Sequence, residues 1–83
     1  MQVTVRYFAS IRETVGVAAE PWETSCVDLA GLRDELIRRS PAHAEALARG
    51  RAVRMAMNQV MGGESTVLVE GAEVAFFPPV TGG

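Results

Sequence analysis

The residues with the clearest chemical potential in this 83-residue sequence are the last two, Gly82 and Gly83. A nucleotide-using enzyme could activate the unhindered α-carboxylate of Gly83 as an acyl-adenylate. A sulfur donor could then convert that group to a thiocarboxylate, which is a strong nucleophile. Glycine is entropically costly to hold still, and it is favoured where a backbone passes through a space too narrow for a Cβ. We therefore expect Gly83 to react and Gly82 to help it enter another protein's pocket.

The residues just before the two glycines are expected to project them away from the domain. Pro78 and Pro79 favour an extended polyproline II path. The five residues from Pro79 to Gly83 can reach roughly 15–18 Å. We therefore predict a domain over 1–78 and a flexible tail over 79–83 in which Pro79, Val80, Thr81 and Gly82 are the insertion residues. The other interpretation is an ordinary frayed chain end.

The rest of the sequence offers no comparable site. His43 is the only histidine, and without a partner at a useful spacing it is expected to be solvated or to act in helix capping. A single cysteine gives neither an internal disulfide nor a cysteine-based zinc site. Cys26 lies just before the main helix, and we expect it to be a half-buried small residue; the alternative is a low-pKa thiol near a helix N-terminus. The acidic residues form no obvious catalytic pair, and the glycines lack phosphate-loop spacings. We therefore expect no catalytic apparatus in the body of the domain.

Length, net charge and apolar pattern disfavour several classes of protein for this chain. The length suits one domain, and the net charge of −2 with a pI near 5.3 disfavours nucleic acid and anionic membrane as partners. The sequence shows neither a signal-peptide pattern nor an apolar stretch long enough to span a bilayer, so we expect a cytoplasmic protein. All eight basic residues are arginines, so no lysine amine is present to attack an activated C-terminus.

Alternating apolar residues predict strands over 2–7 and 52–57, and the closing strand is expected over 74–77 with a short strand before it. A weaker strand is predicted over 17–23, where Pro21 is typical of an edge strand. Gly62-Gly63 and Glu70 to Ala72 predict turns. Ser10 and Glu13 have the spacing of a capping box for a short helix that ends near Gly16. Asp28 is the expected N-cap of the main helix, and Ser40-Pro41 is expected to begin a last helix that ends at Gly50. The apolar stripe of the main helix is Leu29, Leu32, Leu36 and Ile37.

This order of elements predicts an α+β protein with the β-grasp, ubiquitin-like fold. A mixed sheet would pack against one main helix and short helices, with the last strand parallel to the first. In the last strand Val74 and Phe76 point to one face, and Ala75 and Phe77 point to the other. We assign Phe76 to the core and predict that Phe77, on the outer face, anchors a partner. The alternative is that Phe77 folds back under a loop.

Several stretches resemble one known family, the small, sulfur-carrying subunit of molybdopterin synthase, also called molybdopterin-converting factor subunit 1. The most specific is the tail from Phe76 to Gly83. Three other stretches match with moderate specificity, and the resemblance covers nearly the whole chain. They are Tyr7-Phe8-Ala9 together with Arg12-Glu13 and Gly16, then Met57-Asn58-Gln59, and finally Gly71 to Phe77. Ala72 stands where the family commonly has an acidic residue.

The resemblance implies a β-grasp fold and a non-catalytic, sulfur-donating subunit of an enzyme complex. It implies that an ATP-dependent activating enzyme adenylates Gly83, which is then sulfurated. The thiocarboxylate would enter the large synthase subunit and donate sulfur to precursor Z (cyclic pyranopterin monophosphate), which forms the molybdopterin dithiolene. Two small and two large subunits would form a heterotetramer, with Phe77 at the hydrophobic interface.

Two alternatives remain open from the sequence. One is a freestanding ubiquitin-like carrier that uses the same chemistry for thiamine, cysteine or tRNA thiolation, or for protein modification. The other is a β-grasp interaction module with an inert tail. Removing Gly82 and Gly83 would abolish function in either carrier and change nothing in the interaction module.

Overall fold

A computed structural model describes residues 1–79 as one mixed sheet with three helices. The sheet has five strands in the order β2-β1-β5-β3-β4. The elements in chain order are β1 Gln2–Tyr7, α1 Ala9–Val15, β2 Ala19–Glu23, α2 Leu29–Ile37, α3 Pro41–Leu47, β3 Arg54–Met57, β4 Val60–Gly62 and β5 Glu73–Phe77.

The first and last strands lie side by side at the centre of the sheet. β1 and β5 are parallel, with Val5 opposite Val74 and Tyr7 opposite Phe76. Their outer neighbours, β2 and β3, pair antiparallel to them. The predicted parallel pair and the predicted β-grasp fold are confirmed, and β2, which contains Pro21, is an edge strand as expected.

The core lies between one face of this sheet and the helices. Alternation along β1 and β5 places their buried side chains on this inner face, where they meet the apolar stripe of α2. The residues with no measurable exposure are Val5, Leu29, Leu32, Leu36, Leu47, Val74 and Phe76. Burial of these side chains is the main stabilising contribution to the two-layer arrangement.

The predicted helix boundaries are partly confirmed. The Asp28 side chain accepts a hydrogen bond from the backbone N–H of Gly31 at 2.9 Å, which makes it the N-cap of α2. Gly16 ends α1 in a left-handed conformation (φ 96°). The Ser10–Glu13 capping box is wrong, because Phe8 is the N-cap and makes no side-chain capping bond.

The α3 segment and the following hairpin also differ from expectation. Ser40 caps α3 as predicted, but the helix ends at Leu47 rather than at Gly50. The buried guanidinium of Arg33 holds this end, donating to the carbonyls of Leu47 at 2.8 Å and Ala48 at 2.9 Å. The β3–β4 reversal lies at Asn58 and Gln59, both with positive φ. The turn predicted at Gly62-Gly63 is displaced, because Gly62 ends β4 and the turn is centred on Glu64 and Ser65.

Candidate functional site

The outer face of the sheet carries Phe77 at the end of β5. Along this strand Val74 and Phe76 are fully buried, whereas Ala75 and Phe77 are half-buried. The predicted division between the two phenylalanines is therefore confirmed: Phe76 packs in the core, and Phe77 has the opposite parity. Two half-buried prolines, Pro78 and Pro79, follow directly.

An apolar surface surrounds Phe77 across the neighbouring strands. Residues directly opposite each other on paired strands share a face of the sheet. Ala75 is opposite Ala56, which is itself buried, and Ala56 is opposite Met61, which is 57% exposed. Phe8, 41% exposed, continues the outward-facing side of β1 beside this row. We call the set Phe8, Ala56, Met61, Ala75 and Phe77 the outer-face platform.

Cationic side chains flank this platform. Arg54 is exposed and lies opposite Phe77, and Arg6 is exposed and lies opposite Ala75. The Arg6 guanidinium lies 5.5 Å from the centroid of the Phe8 ring and forms an ion pair of 3.3 Å with Glu73. The platform thus combines an apolar centre with a charged rim, the usual arrangement of a protein interface.

The chain direction at Phe8 depends on an unusual backbone conformation. Ala9, the next residue, has φ of 51°, in the left-handed region that alanine rarely adopts. The backbone N–H of Phe8 donates to the Phe76 carbonyl at 3.1 Å, and the Phe8 carbonyl accepts from Ile11. These bonds continue the β1–β5 ladder by one residue and begin α1 directly after it. Phe8 is therefore held within the outer-face platform.

Of the predicted insertion residues, Pro79 lies within the described part of the chain. Pro79 is half-buried next to Pro78. Val80, Thr81, Gly82 and Gly83 lie outside the described residues. Their predicted roles in insertion and reaction therefore stay predictions, as does the domain boundary at residue 78.

The comparison with protein families decides the identity of the chain. The model of the ThiS family matches residues 5–83. The chain belongs to the ThiS family. The matched range includes the end of β1, all of β5 and the tail, so the platform residues and the two terminal glycines lie within it.

Individual relatives and solved structures agree with this assignment. The molybdopterin synthase sulfur carrier subunit of Escherichia coli is 38% identical over 98% of this chain and 99% of its own length. A putative molybdopterin converting factor subunit 1 from Pyrococcus furiosus has a TM-score of 0.79 at 27% identity, covering 96% of this chain and 99% of its own. A complex of subunits 1 and 2 of molybdopterin-converting factor from Helicobacter pylori contains a chain similar to this one, with a TM-score of 0.69 at 28% identity over both whole chains.

The body of this ThiS-family chain contains a buried polar network that the sequence analysis missed. His43 is buried, so the predicted solvated role is wrong, whereas its contact with Ser40, the N-cap of α3, agrees with the predicted capping role. Its Nε2 lies 2.8 Å from Glu20 Oε2, and its Nδ1 lies 2.7 Å from Ser40 Oγ. The Tyr7 hydroxyl donates to the same Glu20 oxygen at 2.6 Å. The network joins β1, β2 and the start of α3 from the core side of the sheet.

The charge in this network is held on Glu20. Burial alone would raise its pKa, but hydrogen bonds from Tyr7 and His43, with Arg39 nearby, together hold the pKa of Glu20 below its ordinary value. Burial and the Glu20 carboxylate raise the pKa of the Tyr7 hydroxyl, which therefore stays protonated. An ionised Glu20 requires His43 Nε2 to carry a proton and donate it. Two donors therefore compensate the charge of Glu20 on the core side of the sheet.

Cys26 lies near a second carboxylate. It is half-buried as predicted, and its thiol lies 3.5 Å from Glu35 Oε2. The other oxygen of Glu35 accepts from the Trp22 indole at 2.6 Å, and this bond is the main reason that the pKa of Glu35 is lowered. The carboxylate therefore fixes Trp22 and Cys26 between the sheet and α2.

Neither metal ligation nor membrane spanning is found in residues 1–79. No cluster of His, Cys, Asp and Glu side chains there has the arrangement needed to hold a metal ion. None of the three helices is long and apolar enough to cross a bilayer.

Sequence reasoning found Phe77 but missed Phe8 and Met61 as members of the platform. Strand parity along β1 already places Phe8 on the side of Arg6, so that signal was present in the sequence. Met61 depends on the register between β3 and β4, which follows from the turn at Asn58 and Gln59.

Proposed function

We propose that this chain is the sulfur carrier subunit of a molybdopterin synthase. An ATP-dependent activating enzyme joins the Gly83 carboxylate to AMP with release of pyrophosphate. A sulfur donor then attacks the acyl carbon, AMP leaves, and Gly83 becomes a thiocarboxylate. Two such thiocarboxylates, delivered one after the other, each donate one sulfur to cyclic pyranopterin monophosphate, the precursor Z, and each Gly83 returns to a carboxylate. The two sulfurs form the dithiolene of molybdopterin for the molybdenum cofactor.

The observation that carries this proposal is the position of Phe77. The last residue of β5 contributes an aromatic side chain to the outer-face platform, and the two prolines that start the tail follow at once. A partner that covers the platform therefore receives the tail at the edge of the same interface. Docking and insertion become one event, which suits a carrier whose reactive group must enter a pocket on another protein.

The partner is the large subunit of molybdopterin synthase, in a heterotetramer of two small and two large subunits. The similarity to one chain of the subunit 1 and 2 complex and to relatives named as sulfur carrier subunits supports this assignment. The chain itself binds no cofactor or metal in this scheme, and the activating enzyme uses the ATP. Both reactions belong to the cytoplasm, where the nucleotide is available.

The proposal is tested in two stages. In the first, the protein is incubated with an activating enzyme, ATP and a sulfur donor, and its intact mass is measured. In the second, the sulfurated protein is mixed with the large subunit and cyclic pyranopterin monophosphate, and dithiolene formation is followed. A chain lacking Gly82 and Gly83 is the control and should give neither product.

The two stages separate the alternatives. Sulfuration followed by dithiolene formation supports the proposal. Sulfuration with no transfer to the precursor would contradict it and favour a freestanding carrier for another thiolation pathway. An unchanged mass with a competent activating enzyme would favour an interaction module.

A further inference from the structure

The turn that joins β3 to β4 decides where Met61 of the outer-face platform lies. β4 is a three-residue strand at the edge of the sheet, and it pairs with β3. Three residues are the short limit for a strand in a globular protein, so the ladder itself holds β4 only weakly. A slip of one residue between β3 and β4 would turn Met61 from the outer face to the inner face. The platform therefore depends on the contacts that fix this register.

The turn itself consists of two residues in an unusual conformation. Met57 is opposite Val60, so Asn58 and Gln59 form a two-residue hairpin loop. Their φ angles are 50° and 67°, the left-handed values that a type I′ turn requires. Asparagine tolerates this region better than most residues, whereas glutamine has no such preference. Backbone preference thus accounts for Asn58 but not for Gln59, and the turn needs a further contact to hold it.

Asn58 makes that contact with the first residue of β5. Its backbone N–H donates to the Glu73 carbonyl at 2.8 Å, and its side-chain Oδ1 accepts from the Glu73 N–H at 2.9 Å. Met57 is opposite Val74, so Asn58 and Glu73 would be the next pair of these antiparallel strands. In a continuing strand, backbone atoms would make both bonds. Here the chain reverses at Asn58, and the side-chain oxygen takes the place of the backbone carbonyl. The turn cannot move along β3 without breaking these bonds.

We propose that Asn58 is a positioning residue for docking of the large subunit. Its two bonds to Glu73 anchor the turn to β5, which fixes the β3–β4 register and holds Met61 in the platform. β5 also carries Phe77, so the anchor joins the two parts of the docking surface. This inference rests on the proposed function, in which the large subunit covers the platform.

The test compares variants of the full chain by their Kd for the large subunit, measured by titration calorimetry, and by their melting temperature. Asn58→Gly keeps the left-handed backbone and the main-chain bond but removes Oδ1, whereas Asn58→Asp keeps an oxygen at that place. Gln59→Gly is the matched control, because it alters the same turn and leaves both bonds to Glu73 in place. The titrations use 0.15 M salt, which screens the charge that aspartate adds beyond about 8 Å.

We expect Asn58→Gly to raise the Kd on the order of fivefold, because loss of one hydrogen bond lets the turn adopt other positions and only the native one binds. The melting temperature should fall by no more than about 8 °C, so the variant stays folded during the titration. Asn58→Asp should stay within about twofold of the wild-type Kd, and Gln59→Gly should leave the Kd unchanged. An unchanged Kd for Asn58→Gly, or an equal rise for Gln59→Gly, would overturn the inference.

A double-mutant cycle separates positioning from a general loss of stability. If Asn58 acts through Met61, then Asn58→Gly in a Met61→Ala chain should change the Kd by less than about twofold. An undiminished fivefold effect in that chain would overturn the inference. Phe77→Ala in the same titrations tests the proposed docking. An unchanged Kd there would refute the docking surface and the inference with it, whereas a raised Kd for Phe77→Ala with an unchanged Kd for Asn58→Gly would refute the inference alone.

Discussion

Replacing Phe77 with alanine should weaken docking much more than it weakens the fold, and replacing Phe76 should do the reverse. Phe76 has no measurable exposure, so Phe76→Ala should cost about 3–5 kcal/mol. A domain of 83 residues has a free energy of unfolding of roughly 4–12 kcal/mol, so this loss is a large share of the total. The melting temperature should fall by at least about 12 °C.

Phe77 is half-buried on the outer face, so Phe77→Ala should cost only about 1 kcal/mol of stability, or about 4–8 °C. If Phe77 anchors the large subunit, its truncation should cost at least about 2 kcal/mol of binding, which is a roughly 30-fold rise in Kd. Titration calorimetry against the large subunit, with thermal melts of both variants, measures the two quantities. A fall in melting temperature as large as that of Phe76→Ala would refute the assignment of faces, and an unchanged Kd would refute the anchor.

Three further outcomes are expected. Glu20→Gln should lower the free energy of unfolding by about 1–3 kcal/mol at neutral pH, because it removes the charge that two hydrogen bonds stabilise. The pKa of Glu20 is lower in the folded protein than in the unfolded chain. The stabilisation from its charge is therefore fully present above the ordinary carboxylate pKa of about 4.3, and it is lost as the pH falls through the folded-state pKa. Denaturant unfolding between pH 3 and 7 checks this, with Glu45→Gln as an exposed control; a difference that does not shrink at low pH would contradict it. Asp28→Ala should cost about 1 kcal/mol through loss of the α2 cap, measured by thermal melts, and an unchanged melting temperature would count against the cap. Gly82→Ala should leave the melting temperature unchanged but slow sulfuration or transfer, as followed by intact mass, and normal rates would mean that the tail needs no narrow passage.

The predictable part of the fold came from patterns that act within one element. Period-2 alternation in β1 and β5 identified the buried faces, and it separated Phe76 from Phe77 without any knowledge of the partner strands. Asp28 and Gly16 were predictable because a side-chain cap and a left-handed glycine act on their own helix ends. The order of the elements then predicted the β-grasp fold, and the family resemblance agreed with it.

The missed features depend on contacts between distant parts of the chain. His43 becomes buried because Glu20, 23 residues earlier, lies on the neighbouring β2 and accepts its ring N–H. No spacing rule links these two positions. The Ser10–Glu13 pattern failed because the chain turns into α1 through the left-handed Ala9, which makes Phe8 the N-cap. Met61 joined the platform only once the β3–β4 register was fixed.

The most direct test of the proposed function is the intact mass of the protein after incubation with an activating enzyme, ATP and a sulfur donor. The proposed function predicts a gain equal to the replacement of one oxygen by sulfur, mapped by fragmentation to Gly83. An unchanged mass with an enzyme that sulfurates another carrier, or sulfur located on Cys26 in place of Gly83, would contradict it.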